Sequence, residues 1–131
     1  TPIRTTLQLA SLIKDVYPEK KLKINPATKS FQAFRIFINN ELNEFKESLE
    51  IAKRIIKKDG LIVVISFHSL EDGIVKEFFK PIIKSFPKDI PLNSKEVKEF
   101  KCIAKKIKAS SKEVTENPRS RSATMRVFQK I

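Results

Sequence analysis

The chain has 131 residues, enough for a domain that buries roughly two-thirds of its unfolded surface. Its 40% hydrophobic and 32% charged residues are an ordinary globular balance, which excludes a disordered chain, and no apolar run approaches the ~20 residues of a membrane span. The 27 Lys and Arg against 15 Asp and Glu give a formal net charge of +12; such a surface attracts phosphate without regard to base sequence, and a lysine-rich soluble surface accounts for it equally.

Thr5 and Thr6 suit the cap of a first helix running to about Val16, with Leu7, Ala10, Ile13 and Leu9, Leu12, Val16 as its apolar rows. Tyr17-Pro18 ends it, because proline disfavours helical backbone in the residue before it. A charged linker is expected at residues 19–23, and Asn25-Pro26-Ala27-Thr28 reads as a turn and cap. Residues 29–58 form a long helical stretch in which Phe34, Ile38, Leu42, Phe45, Leu49, Ala52 and Ile56 recur every three or four positions. Asn39-Asn40 mark a bend or a break in it, Lys57 and Lys58 suit its negative end, and Asp59-Gly60 terminates it.

The run at 61–65, LIVVI, is rich in β-branched residues and predicts a central strand buried on both faces of a sheet. Ser66-Phe67-His68 is a polar turn, and Ser69 with Asp72 three residues on predicts the cap of a helix whose apolar face is Ile74, Val75, Phe78 and Phe79. In open α/β sheets ligands lie beyond the carboxyl ends of the strands, where this turn falls. Residues 86–91 read as a loop, 96–107 as helix or strand with the second half favouring strand, 110–118 as a polar connection with room for one helical turn, and the end around Met125, Val127 and Phe128 as a strand. A sheet this thin leaves an edge unpaired, which points to a missing partner. The sole methionine, Met125, and the start at Thr1 fit a piece of a longer chain. One cysteine, Cys102, makes neither an internal disulfide nor a cysteine-based metal site, so a reducing compartment, the cytoplasm, is expected.

Each residue with chemical potential has a plainer reading beside it. His68, the only histidine, is a structural hydrogen-bonding residue or, by its place after the strand, a catalytic one; no second histidine or cysteine cluster supports a metal. Glu71 and Asp72 accept protons or hydrogen bonds from a substrate amine, or else complement the helix dipole. Arg119 and Arg121, in Asn117-Pro118-Arg119-Ser120-Arg121-Ser122, are a phosphate-binding turn or a basic loop, with Lys101, Lys105, Lys106, Lys108 and Lys112 adding charge upstream. Gln32 and Arg35, among Phe31, Phe34 and Phe37, are a solvated helix face or a surface for unpaired bases, the phenylalanines being expected in a core. With Gly60 and Gly73 the only glycines, no glycine-rich cofactor loop exists in this sequence.

Three blocks, NPATKSFQAFRIFINNEL at 25–42, VISFHSLED at 64–72 and NPRSRSATMR at 117–126, resemble in order and spacing the C-terminal half of the RsmH/MraW-type methyltransferases. That family uses S-adenosylmethionine to methylate the exocyclic N4 of a cytidine in small-subunit ribosomal RNA. The resemblance implies an α/β fold: the C-terminal part of a Rossmann-like methyltransferase domain over 38–131, preceded at 1–37 by the end of a helical substrate-recognition insertion. It implies ribosomal RNA and the N-terminal half of the enzyme as partners, with the S-adenosylmethionine site upstream of Thr1 and no cofactor-binding residue in this chain. Ser66, His68 and Glu71 would line the base pocket, with Asp72 holding the turn; Lys29, Gln32, Arg35, Arg119 and Arg121 would meet RNA. Asn25, Lys29 and Gly73 stand where the family has histidine, arginine and arginine, so a non-catalytic basic RNA-binding fragment or a degenerate copy is the alternative.

Overall fold

A computed structural model describes residues 2–17, 25–84 and 95–131; the expected linker at 19–23 and loop at 86–91 lie outside them. The contacts divide into two compact units, Thr1–Asn43 and Glu44–Ile131. Among the described residues no helix is long and apolar enough to cross a membrane.

In the first unit, α1 (Thr6–Val16) opens on a capping box: Gln8 N donates to Thr5 Oγ1 at 3.2 Å, and Thr5 N donates to Gln8 Oε1 at 3.1 Å. Helix α2 (Ala27–Ile38) starts where Asn25 Oδ1 accepts from Ala27 N at 3.0 Å. It stops at Asn39-Asn40, where Asn40 takes the left-handed conformation with φ 52°, so the long helical stretch is broken into two helices. The expectation of core phenylalanines fails here, because Phe34 and Phe37 are 48% and 85% exposed. Two helices share one seam, and a row turned away from that seam has nothing among the described residues of the unit to cover it.

The second unit is a sheet with helices on one face. Helix α3 (Glu41–Ile55) is followed by β1 (Leu61–Ser66), α4 (Ser69–Phe78), β2 (Ile82–Lys84), β3 (Lys95–Val97), β4 (Phe100–Ile107), α5 (Ser111–Glu116), a 3-10 turn (Pro118–Ser122) and β5 (Thr124–Lys130). The main sheet runs β1-β5-β4, antiparallel throughout, and β2 pairs with β3 in a separate ribbon. Leu49 of α3, Val75 of α4 and Phe79 at its C-terminal cap, and Ile62, Val64, Phe100 and Phe128 of the strands form the core. The Phe79 ring stacks on Phe128 at 3.8 Å and meets Phe100 edge-on at 5.0 Å. The unit is a mixed α/β structure.

Two expectations about β1 are corrected. It is an edge strand among the described residues, and β5 is the central one. It is also covered on one face only: Ile62, Val64 and Ser66 are buried, whereas Leu61, Val63 and Ile65 are each more than half exposed. The reason is that α3 and α4 both pack on the face carrying Ile62 and Val64. The helix before β1 ends at Ile55, earlier than expected. There Lys130 Nζ from β5 donates to the carbonyls of Lys53 at 3.0 Å and Ile56 at 2.9 Å, and the reversal is made by Asp59 at φ 65°. Gly60 is needed for close approach, since a Cβ there would sit 2.9 Å from the Lys57 carbonyl oxygen.

Candidate active site at the end of the first strand

Strand β1 delivers Ser66, Phe67 and His68 to the start of α4, and the cap of that helix differs from the sequence expectation. The N-cap is His68, one residue before Ser69. Its imidazole Nδ1 accepts from Glu71 N at 3.4 Å, while Glu71 Oε2 accepts from Phe67 N at 2.7 Å and His68 N at 3.3 Å. An imidazole nitrogen reaches the N3 amide as a hydroxyl would, and Glu71 supplies the reciprocal bond that the shorter Asp72 cannot.

This arrangement sets the histidine's chemistry. With Nδ1 accepting, the neutral ring carries its proton on Nε2. That atom is buried, and it makes no hydrogen bond among the described residues. Glu71 Oε1 lies 3.2 Å away, within ion-pair distance but off the direction of the N–H. A buried polar atom left this way costs roughly 1–3 kcal/mol, so such atoms are uncommon and call for a reason.

Asp72 leaves the cap and faces the sheet. Arg126 Nε donates to Asp72 Oδ1 at 2.6 Å and its Nη2 to Oδ2 at 3.0 Å, a two-pronged pair; Arg126 Nη1 donates to the Lys105 carbonyl. The hydrogen bond from Arg126 is the main influence holding the Asp72 carboxyl below the usual carboxylate range, against the opposing effect of burial. The same bond raises the already high value of Arg126. Sequence reasoning passed over Arg126. The signal was present: in Thr124-Met125-Arg126-Val127-Phe128 the arginine alternates in register with Thr124 and Phe128, both buried, and a cation on a buried strand face demands an anion.

Ser66 is 2% exposed, and its Oγ donates to the Thr124 carbonyl at 3.3 Å, tying β1 to β5 directly beneath the turn. Arg119 and Arg121 are exposed on the 3-10 turn. Asn117 Oδ1 accepts from Arg119 N at 3.3 Å, and the buried Ser120 donates to the Asn117 carbonyl at 2.8 Å, so the turn anchors through Ser120 and presents its two arginines outward. Lys29, Gln32 and Arg35 stand on α2 in the first unit. Arg35 forms a two-pronged pair with Glu41, at 2.7 and 3.0 Å. Among the described residues no group of three histidine, cysteine or acidic side chains converges as metal ligands.

A sequence model of the MraW methylase family matches residues 1–131. The chain is 46% identical over 134 aligned positions to the ribosomal RNA small subunit methyltransferase H of Marinomonas sp. (strain MWYL1), covering 100% of this chain and 43% of the relative. It is 47% identical to the protein of that name from Francisella tularensis subsp. tularensis (strain WY96-3418), over 98% of this chain and 44% of the relative. With the Wolbachia sp. subsp. Brugia malayi (strain TRS) protein of the same name it shares 45%, over 98% of this chain and 37% of the relative. The chain therefore spans about two-fifths of the length of the curated relatives it matches.

Proposed function

The chain belongs to the MraW methylase family, and from that membership we propose that it is the substrate-side C-terminal part of an S-adenosylmethionine-dependent methyltransferase acting on the N4 amine of a cytidine in small-subunit ribosomal RNA. In this reading residues 1–37 close a helical substrate-recognition insertion, and 38–131 belong to a Rossmann-like catalytic domain that works in the cytoplasm. The observation that carries the reading is the buried, unsatisfied Nε2 of His68 beside the Glu71 carboxylate at the carboxyl end of β1.

The exocyclic amine of cytosine is a poor nucleophile, because its lone pair is delocalised into the ring. Transfer needs the nitrogen aligned and an acceptor for its proton. In this reading His68 Nε2–H donates to an acceptor atom of the base, and Glu71 Oε1 accepts from the amine. Ser66 backs the turn, and Asp72 holds it. The methyl group comes from S-adenosylmethionine, which the described residues do not fit. The turn after β1 has no glycine for close backbone approach, Gly60 packs against Ile56, and Gly73 sits within α4. In this reading the cofactor's cradle lies in the N-terminal part of the enzyme, and Arg119, Arg121, Lys29, Gln32 and Arg35 serve the RNA.

Labelled-methyl transfer to unmodified small ribosomal subunits tests this, with the chain alone in one tube and the upstream portion of the Marinomonas relative added in a second. Transfer in the second tube only is expected. There, His68→Ala and Glu71→Ala each lower turnover by about 10²-fold or more; full turnover in both variants would overturn the assignment. The net charge of +12 favours a second reading, a non-catalytic RNA-binding piece. Salt-sensitive RNA binding without transfer in either tube would support it.

A further inference from the structure

We propose that Arg126 is a positioning residue of this site: it fixes the first turn of α4 to the sheet and so sets where His68 and Glu71 stand. The inference rests on the roles given to those two side chains above.

Arg126 lies directly opposite Val64 in the pairing of β5 with β1, so it projects from the sheet face that carries the core. Its side chain is 12% exposed there. A cation in such surroundings is costly unless its nitrogens are engaged and an anion is near. Each of the three nitrogens makes a hydrogen bond: two fork onto Asp72, and the third donates to the Lys105 carbonyl of β4. One side chain thereby joins β5, β4 and α4.

The link continues to the site through the backbone. Asp72 N donates to the His68 carbonyl at 3.2 Å, the first rung of α4. Held from both sides, Asp72 cannot rotate or slide without carrying His68 with it. An apolar pair would fill this volume at no loss of stability, so packing alone does not account for the ion pair. What the fork adds is direction: two parallel bonds fix the separation and the rotation of a carboxylate, which a lysine ammonium cannot do. Lys76, 3.5 Å from Asp72 Oδ2 and more than half exposed, is a point charge on a mobile stem and offers no such fork. The bonds of Arg126 go to Asp72 and Lys105 and not to His68 or Glu71, and its effect passes through Asp72.

Because the chain holds one histidine, labelling it and adding the unlabelled upstream portion of the Marinomonas relative leaves a single imidazole visible by NMR. In Arg126→Lys and Asp72→Asn, the His68 resonance is expected to split or broaden, and the backbone amide at position 72 to exchange about 10-fold faster. In the same samples kcat falls by about 10²-fold, the scale of a small misplacement, with KM for the ribosomal subunit changed less than about 3-fold. One unshifted imidazole resonance and unchanged amide exchange at position 72 in a folded variant would overturn the proposal. Loss of the folded state in both variants would overturn it too, since the pair would then hold the fold and not the turn. A moved resonance with kcat intact would keep the mechanical link and refute the catalytic reading of His68 and Glu71, so the two failures are distinguishable.

Discussion

Asp72 links protonation to stability. Its carboxyl is held low in the folded state, chiefly by the hydrogen bond from Arg126. A depressed folded-state value means that the contribution is complete above the unfolded value, about 3.9, and is lost as pH falls through the folded one. Asp72→Asn is expected to cost roughly 2 kcal/mol at neutral pH. Urea titrations should show that deficit constant above about pH 4 and shrinking in more acidic solution; a deficit independent of pH would contradict the linkage. Gly73 gives a prediction of opposite sign. It lies inside α4, where an added Cβ would meet nothing within 4 Å. Gly73→Ala should therefore stabilise the chain by about 0.5–1 kcal/mol, read as a raised thermal midpoint. Glycine at this position is not demanded by the fold.

At the scale of elements, Lys130 of β5 serves α3 by donating to the Lys53 carbonyl in its last turn and to the Ile56 carbonyl just past its end. Lys130→Met, which keeps the stem and removes the donors, should cost about 1 kcal/mol and weaken amide protection at the end of α3 more than in β1. That bond shows where sequence reading reached and where it stopped. The cap at Thr5, the turn at Asn25, the break at Asn39-Asn40, the strand after Gly60 and the helix bearing Val75 were all legible, because each depends on residues close in the chain. The position of β1 in the sheet was not legible. A run such as LIVVI suits an edge or a centre, and only the pairing with β5, far away in sequence, decides. The candidate site shows the same division: His68 and Glu71 were singled out from their place just after the strand. That His68 itself is the cap, that Ser66 is tied to Thr124, and that Asp72 answers Arg126 all depend on long-range or side-chain geometry that no periodicity encodes.

For the molecule as a whole, the outer face of the sheet is its least finished surface. Leu61, Val63 and Ile65 of β1 are paired with Gln129, Val127 and Met125, and Ile107 extends the apolar row onto β4. Contiguous exposed apolar area of this kind is uncommon on a free-standing domain, and the proposed N-terminal part of the enzyme would cover it. Val63→Lys should leave the folding stability of the chain alone within about 0.5 kcal/mol while abolishing co-elution with the upstream portion of the Marinomonas relative in size exclusion. Unimpaired co-elution would place the interface elsewhere.

The strand order has a consequence for timing. β5 is synthesised after every other described strand, yet among the described residues β1 and β4 each form their ladder with it and none with one another. On the ribosome, then, this three-stranded sheet has no stepwise route. The helices can form as they emerge, but β1 and β4 stay unzipped until residues 124–130 arrive between them, and a single late segment closes both seams. Arg126 travels in that segment, so the turn carrying His68 is locked in the same event that completes the sheet.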